Sequence, residues 1–431
     1  MKNDRIVRRH SGAASVHFEI EGTYFKSLFI RKKMVSVQEA KQLVVENTFP
    51  LPAEERDVHE AVGYVLAADV RAPLSLPLFR QSSMDGYAVH HEDIERAGVA
   101  LPVVAESQAG APELLTLERG TAVRIFTGAP VPDGATAVVM QEKTGREADK
   151  VLIQEYPVNE KQNVRAIGQQ IREGDVALPK GTYLTPGSVG FLLGMNVRRV
   201  EVYRKPSVGI LVTGDELVQP GNPLRFGQVF ESNSSMLAAT LRQEGLTQID
   251  IQYVDDNPEA TTQALLELTE QHDVVLATGG ISVGDYDYVG TSLQEIGVET
   301  IFYKVRQRPG KPLLFGKKEG TLFFALPGNP ASSLVCYYEY VLPALRRLSG
   351  RVDAFLPTLR LPMTHAYSFK GERDELLKAS ATTLGVTPLE GQESFALRSF
   401  AVANALIYLP STQQSVQPGD LVEVHILPFF C

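Results

Sequence analysis

The chain changes character at Ser207. From there short apolar runs alternate with stretches of helical period, and most switches are marked by Gly, Pro or Asn. "SVGILVTGDEL" predicts a buried strand ending in a turn, and "SNSSMLAATLRQEG" a helix with Asn233 at its N-cap and Gly245 as its stop. "QIDIQYVDD" predicts a strand and "NPEATTQALLELTEQH" a helix with Pro258 in its first position. "DVVLATGG" then predicts a strand, "VGTSLQEIG" a helix, and "TLFFALPGNP" a strand feeding the helix "ASSLVCYYEYVLPALRRL". Strands alternating with helices imply a parallel sheet with helices on both faces.

Upstream the pattern differs. "SVQEAKQLVVENT" opens with a capping box, Ser36 and Glu39, and its apolar positions Val37, Ala40 and Val44 predict an amphipathic helix. A Pro-rich crossing, "APLSLPLFR", follows. From about Pro102 to Val158 short β-like runs with turn signals ("TAVRIFTG", "ATAVVMQEK", "KVLIQEYPV") predict a small all-β insertion. "DVALPKGTYLTPGSVGFLLGMNVRRVEVYRKP" reads as a return to a helical element with an exit strand. Beyond Gly350 short alternating strands resume ("LLKASATTL", "ALIYLP", "LVEVHIL"), which predicts a small β domain. The fold class is therefore multidomain α/β plus β, with a central α/β domain, and no internal repeat is visible.

Length and composition support this division. A chain of 431 residues exceeds one ordinary core, and 44% hydrophobic with 22% charged residues describes a soluble globular protein. The formal charge of −9 removes any global attraction to nucleic acid or to an anionic membrane, so an anionic ligand needs a local basic cluster. No apolar run reaches the length of about 18 residues that a membrane span requires. Two distant cysteines, Cys336 and Cys431, fit a reducing cytoplasm and neither a disulfide framework nor a zinc site. The first 33 residues are basic without a long apolar core, so we expect a disordered extension rather than a secretory signal.

In doubly wound α/β domains ligands bind beyond the carboxyl ends of the parallel strands. Three loops fall there: Thr213–Glu216 ("TGDE"), Thr278–Asp287 ("TGGISVGDYD") and Leu326–Pro330 ("LPGNP"). Each carries glycine where backbone must approach a ligand, although ordinary turn chemistry would explain any one alone. The spacing is neither G-x-G-x-x-G nor a P-loop. Asp285 and Asp287 add two negative charges to what otherwise reads as an anion cradle. The turn "VRQRPGKPLLFGKK" places Arg306, Arg308 and Lys311 around a Pro-Gly pair, suited to a phosphate or a tetrahedral oxyanion, or else a solvated basic turn. "FRQSSMDGYAV" embeds Asp85 among small and apolar residues, where an Asx turn is the plain alternative.

"SSMDGYAV", "TGAPVPDGATAVVMQE", "TGDEL", "GGISVGDYDY", "RPGKPLLFG" and "LPGNPAS", in this order and spacing, resemble the molybdopterin molybdenumtransferase (MoeA) family, which includes the gephyrin E domain. The resemblance runs from about Met34 to Cys431. It implies an elongated four-domain subunit: domain I from 34–70 and 171–204, domain II 71–170, a three-layer molybdopterin-binding domain III 205–350 and a β domain IV 351–431. It also implies a homodimer whose active site is shared between subunits, and a transient partner in the molybdopterin adenylyltransferase of the preceding step. The implied reaction takes adenylylated molybdopterin and molybdate, with Mg²⁺, to molybdenum cofactor and AMP.

By the same resemblance Asp85 and Asp287 are catalytic residues and metal ligands. Thr127, Thr213, Gly214, Asp215, Glu216, Gly279, Gly280, Ser282, Gly284, Pro327, Gly328 and Pro330 bind the substrate, and Arg308, Lys311, Arg373 and Ser399 bind molybdate. Asp285 stands where the family often has Glu and is read as shaping the turn. Three departures stand out. Gln169-Gln170 replaces an acidic pair, Arg80-Gln81 replaces Asp-Asn before "SSMDGYAV", and Arg308 replaces a lysine. Two other readings follow from the same residues. One is an adenylyltransferase of the same α/β fold, which the accessory β domains oppose. The other is a non-catalytic molybdopterin-binding scaffold, which the glutamines favour.

Overall fold

The structure, a computed structural model, describes residues 34–279, 288–369 and 371–428. The chain forms two compact units, one running from Ala53 to Val202 and the other made of the residues up to Pro52 together with Tyr203 onward. The first element is helix α1 (Val37–Glu46), where Ser36 accepts a hydrogen bond from the Glu39 N–H as the capping box predicts. Its apolar stripe, Val37, Ala40 and Val44, is fully buried in the α/β core rather than among its neighbours in sequence.

The Ala53–Val202 unit is built on a six-stranded sheet of β1 (Gly86–Val89), β2 (Val99–Ser107), β3 (Ala122–Ile125), β4 (Ala137–Met140), β5 (Thr144–Glu147) and β6 (Lys150–Ile153), in the order β4-β1-β3-β2-β6-β5. The three predicted runs supply β3, β4 and β6, while β1 and the start of β2 lie upstream of the predicted span. Beside it α2 (Pro186–Gly194), started by a Thr185–Ser188 capping box, gathers a separate core of Leu184, Leu192, Met195 and Val202.

In the second unit β7 (Val208–Thr213), α3 (Asn233–Gln243), β8 (Ile249–Val254), α4 (Pro258–Gln271), β9 (Val274–Thr278) and α5 (Tyr288–Glu295) alternate as the pattern predicts. They are followed by β10 (Glu299–Tyr303), β11 (Gln307–Arg308), β12 (Leu314–Lys318), β13 (Thr321–Leu326), α6 (Pro330–Cys336), a π-helical turn at Tyr337–Val341 and α7 (Leu342–Leu348). The sheet order is β8-β7-β9-β13-β12-β10. Alternation along β7 sends Val208, Ile210 and Val212 to the cluster holding α1, α3, α6 and α7, and Leu211 to the cluster holding α4 and α5. The expected all-parallel sheet needs correction. β8, β7, β9 and β13 are parallel, but β12 runs antiparallel to both of its neighbours, β13 and β10. The reason is the two-residue turn Glu319-Gly320, both at positive φ, which closes a tight β12–β13 hairpin across the Lys318–Thr321 pair.

Towards the C-terminus lie β14 (Thr358–Pro362), β15 (Asp374–Thr382, which also pairs with the short strand Gly385–Pro388), β16 (Ala405–Leu409) and β17 (Leu421–Ile426). They form a sheet ordered β11-β15-β16-β17-β14. Its edge strand β11 comes from the basic turn of the α/β region, paired in parallel with Gln307 opposite Asp374 and Arg308 opposite Glu375. No helix among the described residues is long and apolar enough to cross a membrane.

Candidate active site

Asp85 sits immediately before β1, and Thr127 lies just beyond β3. Because β1 and β3 pair antiparallel with Gly86 opposite Ile125, the two residues meet at one end of this strand pair. Asp85 Oδ1 accepts hydrogen bonds from both the Thr127 N–H and the Thr127 hydroxyl, each at 2.8 Å. These bonds, the backbone one foremost, hold the Asp85 carboxyl below the usual carboxylate range, with a smaller pull from the Arg124 guanidinium. Asp85 is thus a carboxylate at neutral pH, and its Oδ2 has no hydrogen-bond partner among the described residues. Gly86 permits the corner, since a Cβ there would lie 1.9 Å from the Val139 carbonyl oxygen. Arg124 stacks over Tyr87 and Phe126 while donating to the Gly86 carbonyl at 3.0 Å, which braces the same corner. A separate cavity of about 500 Å³ in this unit is lined by Pro77, Phe79, Gln81, Arg165, Gln169 and Gln170.

The second group of residues surrounds a cavity of about 610 Å³ at the carboxyl ends of β7, β9 and β13. Thr213, Glu216, Gly279, Pro327, Gly328 and Pro330 line it, as do Asn233, Asn329, Pro312 and Phe395. Thr213 is buried and its hydroxyl donates to Asp256, whose N–H donates to Asp215 at 3.0 Å. Gly279, at φ +93°, is obligatory: a Cβ would stand 2.2 Å from the Thr213 carbonyl oxygen, forcing the ends of β7 and β9 apart. Gly214 lies between Thr213 and this acidic turn. Gly280, Ser282, Gly284, Asp285 and Asp287 lie outside the described residues.

Asn233 departs from its expected part. The helix cap is Ser232, and the buried Glu231 satisfies the Ser234 N–H at 2.8 Å. The Asn233 amide is free to tie two loops together, donating to Thr278 Oγ1 at 2.9 Å and to the Gly328 carbonyl at 2.8 Å. The last wall comes from a loop of the C-terminal β region, between the strand Gly385–Pro388 and the helix Leu397–Phe400. Asn329 donates to Ser394 Oγ at 3.0 Å, and Phe395 faces the cavity beside it. Neither Ser394 nor Phe395 carries a local signal in the sequence, because nothing in "QESFALR" marks its packing against "LPGNP", and Asn329 and Ser394 stand 65 positions apart.

Of the expected molybdate ligands, Lys311 is exposed next to the cavity-lining Pro312, and no hydrogen-bond or ion-pair partner for its side chain is found among the described residues. Arg308 meets the buried Glu375 at 3.3 Å. Arg373 is half-buried directly before β15, two residues from Glu375. Ser399 is buried, and its hydroxyl donates inward to the Gly391 carbonyl at 2.8 Å and the Ala396 carbonyl at 3.0 Å. The same two carbonyls, with that of Glu393, receive the ammonium of the fully buried Lys378. Among the described residues no three His, Cys, Asp or Glu side chains cluster as a metal-binding group.

Comparison with known proteins decides the family. Residues 35–195 match the MoeA N-terminal region (domain I and II), 209–347 the probable molybdopterin binding domain and 360–427 the MoeA C-terminal region (domain IV). A molybdopterin molybdenumtransferase of Haemophilus influenzae is 37% identical over 407 residues, covering 91% of this chain and 98% of that relative. The chain belongs to the molybdopterin molybdenumtransferase family. A further member from Nostoc sp. is 36% identical over 385 residues, 86% of this chain and 88% of the relative. The crystal structure of the molybdopterin biosynthesis moeA protein from Pyrococcus horikoshii OT3 superposes with a TM-score of 0.79 at 27% identity, over 91% of this chain and all of that one. Within this molybdopterin molybdenumtransferase fold Arg80, one of the departures, has a structural task. Its guanidinium donates to the carbonyls of Ala135 and Pro132, both at 2.9 Å. Gln169 accepts from the Ala166 N–H at 3.0 Å, a bond that a carboxylate would make equally well.

Proposed function

We propose that this protein inserts molybdate into adenylylated molybdopterin with release of AMP, as a step of molybdenum cofactor biosynthesis in the cytoplasm. The observation that carries this reading is the cavity at the ends of β7, β9 and β13, where obligatory glycine backbone and amide and hydroxyl groups, with Glu216 and Glu231 at one side, lie next to Lys311. A pterin pyrophosphate is anionic and broad, and such a cavity offers it backbone amides, carbonyls and an aromatic edge at Phe395. The names of the Haemophilus influenzae and Nostoc relatives support the same activity.

In this reading Thr213, Gly214, Gly279, Pro327, Gly328 and Pro330 orient the pterin phosphate, while Asp215 and Glu216 border it. Gly280, Ser282 and Gly284 belong to the same substrate-binding set by family resemblance. Arg308, Lys311 and Arg373 hold molybdate, with Ser399 shaping the loop behind them. Water attacks phosphorus and gives up its proton to solvent, and the anhydride P–O bond breaks with its electron pair leaving on the departing phosphate as AMP is released. The two dithiolene thiols replace one oxygen of molybdate, which leaves as water with their protons. Asp85, ionised and with one oxygen unused, fits a hard cation, and Asp85 with Asp287 would hold Mg²⁺. When bound, that ion would polarise the phosphoanhydride.

The reading includes a homodimer of four-domain subunits (34–70 with 171–204, 71–170, 205–350, 351–431) in which Asp85 of one subunit serves the α/β cavity of the other. Molybdopterin adenylyltransferase is the transient partner that supplies the substrate. AMP release from adenylylated molybdopterin, measured with and without molybdate, tests the activity. Molybdate-dependent release is expected, and tight binding of the adenylylated pterin without release would leave only a scaffold. Mixing inactive Asp85→Asn and Lys311→Ala subunits tests the shared site, because a heterodimer would regain one intact site and a self-contained subunit would regain none.

A further inference from the structure

Arg308 presents 58% of its side chain to solvent, yet its partner Glu375 exposes only 5%. A carboxylate removed from water is costly unless both of its oxygens are engaged. Both are. Glu375 Oε1 faces Arg308 Nη1 at 3.3 Å, and Oε2 accepts the Tyr367 hydroxyl at 2.7 Å. Burial, then the bond to Glu375, raises the Tyr367 hydroxyl far above its ordinary range, so Tyr367 remains a donor at any working pH. The backbone beneath is equally fixed. Arg308 stands opposite Glu375 in the β11–β15 ladder, and the Asp374 N–H donates to the Arg306 carbonyl at 3.1 Å. On the other side of the strand Gln307 is fully buried, donating to the Pro309 carbonyl at 3.0 Å and accepting the Tyr340 hydroxyl.

A planar guanidinium anchored at one amino group keeps its remaining N–H donors in a set direction. We propose that Glu375 is a positioning residue, which with Tyr367 anchors one edge of Arg308 so that the free edge meets the tetrahedral oxyanion. The proposal rests on the reading of Arg308 as a molybdate ligand. It competes with a simpler effect, in which a negative charge behind Arg308 merely weakens attraction for a dianion. The two effects have opposite signs. Loss of orientation raises the molybdate KM, whereas loss of repulsion lowers it, and at an exposed arginine the Coulombic part is strongly screened.

The test measures kcat and KM for molybdate in AMP release by the full chain carrying Glu375→Ala, Glu375→Gln or Tyr367→Phe, alone and with Arg308→Ala. Glu375→Ala is expected to raise KM about tenfold with kcat within about twofold, and Glu375→Gln, which keeps an acceptor in the same place, to stay within about threefold of the parent. In the Arg308→Ala background the effect of Glu375→Ala should vanish. A KM that falls in both Glu375 variants, or that rises equally with and without Arg308, overturns the proposal. Should Glu375→Ala fail to fold, Tyr367→Phe takes its place with a smaller rise expected, and an unchanged KM there counts against the anchor. If Arg308→Ala alone leaves the molybdate KM unchanged, it is the anion-site reading of Arg308 that fails.

Discussion

Two carboxylates with lowered pKa show how differently this molecule uses the same perturbation. Asp85 is partly exposed at the end of a central strand pair, held by one threonine, with one oxygen unpartnered among the described residues. Glu339 lies 2% exposed in the π-helical turn, with Oε2 on Lys41 at 2.5 Å and Oε1 on His425 Nδ1 at 2.7 Å. Burial alone would raise Glu339, but the charges of His425 and then Lys41 outweigh it and bring the carboxyl down to about 2. A depressed pKa therefore marks a partnered carboxylate and does not by itself mark a reactive one. What separates the two is the partial exposure and the carboxylate oxygen without a partner among the described residues, both present at Asp85 and absent at Glu339.

The largest expected effect breaks the buried side of this contrast. Glu339→Ala leaves Lys41 and His425 without their shared counter-charge and should cost about 3–5 kcal/mol in chemical unfolding of its unit. A loss near zero would mean that the knot joining α1, the π-helical turn and β17 is not structural. On the exposed side Asp85→Asn keeps an acceptor for Thr127, so stability should change by no more than about 0.5 kcal/mol while AMP release slows about a hundredfold. A variant that released AMP at the parent rate would remove Asp85 from the chemistry.

The pH dependences should also differ. Burial alone would lower His425, yet the Glu339 charge, with the hydrogen bonds to Glu339 and Glu423, raises it above 6.5. A raised histidine contributes stability that is complete below its unfolded value and is lost as pH climbs through the folded one. Glu339, depressed from 4.5 to about 2, contributes stability present above 4.5 and lost as pH falls toward 2. The difference in unfolding free energy between the parent and His425→Asn should thus be greatest near pH 5–6 and shrink above neutrality. Activity should show no such alkaline limb from this knot. Its acid limb should lie below the range of an ordinary carboxylate, because Thr127 keeps Asp85 ionised. The smallest expected effect is that of Ser394→Ala. Losing the hydrogen bond to Asn329 should raise KM for the adenylylated pterin about threefold, with kcat unchanged, in steady-state AMP release.

Much of this molecule is written locally. The capping box at Ser36, Pro258 at a helix start, the alternation after Ser207 and the glycine loops at strand ends are all readable because each rests on residues close in sequence. So is the family, carried by motifs in a fixed order. The Glu319-Gly320 hairpin was equally local, and its turn signal sits plainly in "KKEGT". Other features depend on residues far apart, and no local period encodes them. Helix α1 is amphipathic from its own sequence, but only packing decides that its stripe completes the α/β core. Arg308 is visibly basic, but only the β11–β15 ladder places Glu375 behind it. Asn233 has the chemistry of a cap, and only the convergence of three strand ends gives it Thr278 and Gly328 instead. The elements, the family and the kinds of side chain available for chemistry all follow from the order of residues along the chain. Tertiary structure decided which of those side chains have an atom to spare, because a hydrogen-bond or ionic partner can be supplied from any distance along the chain.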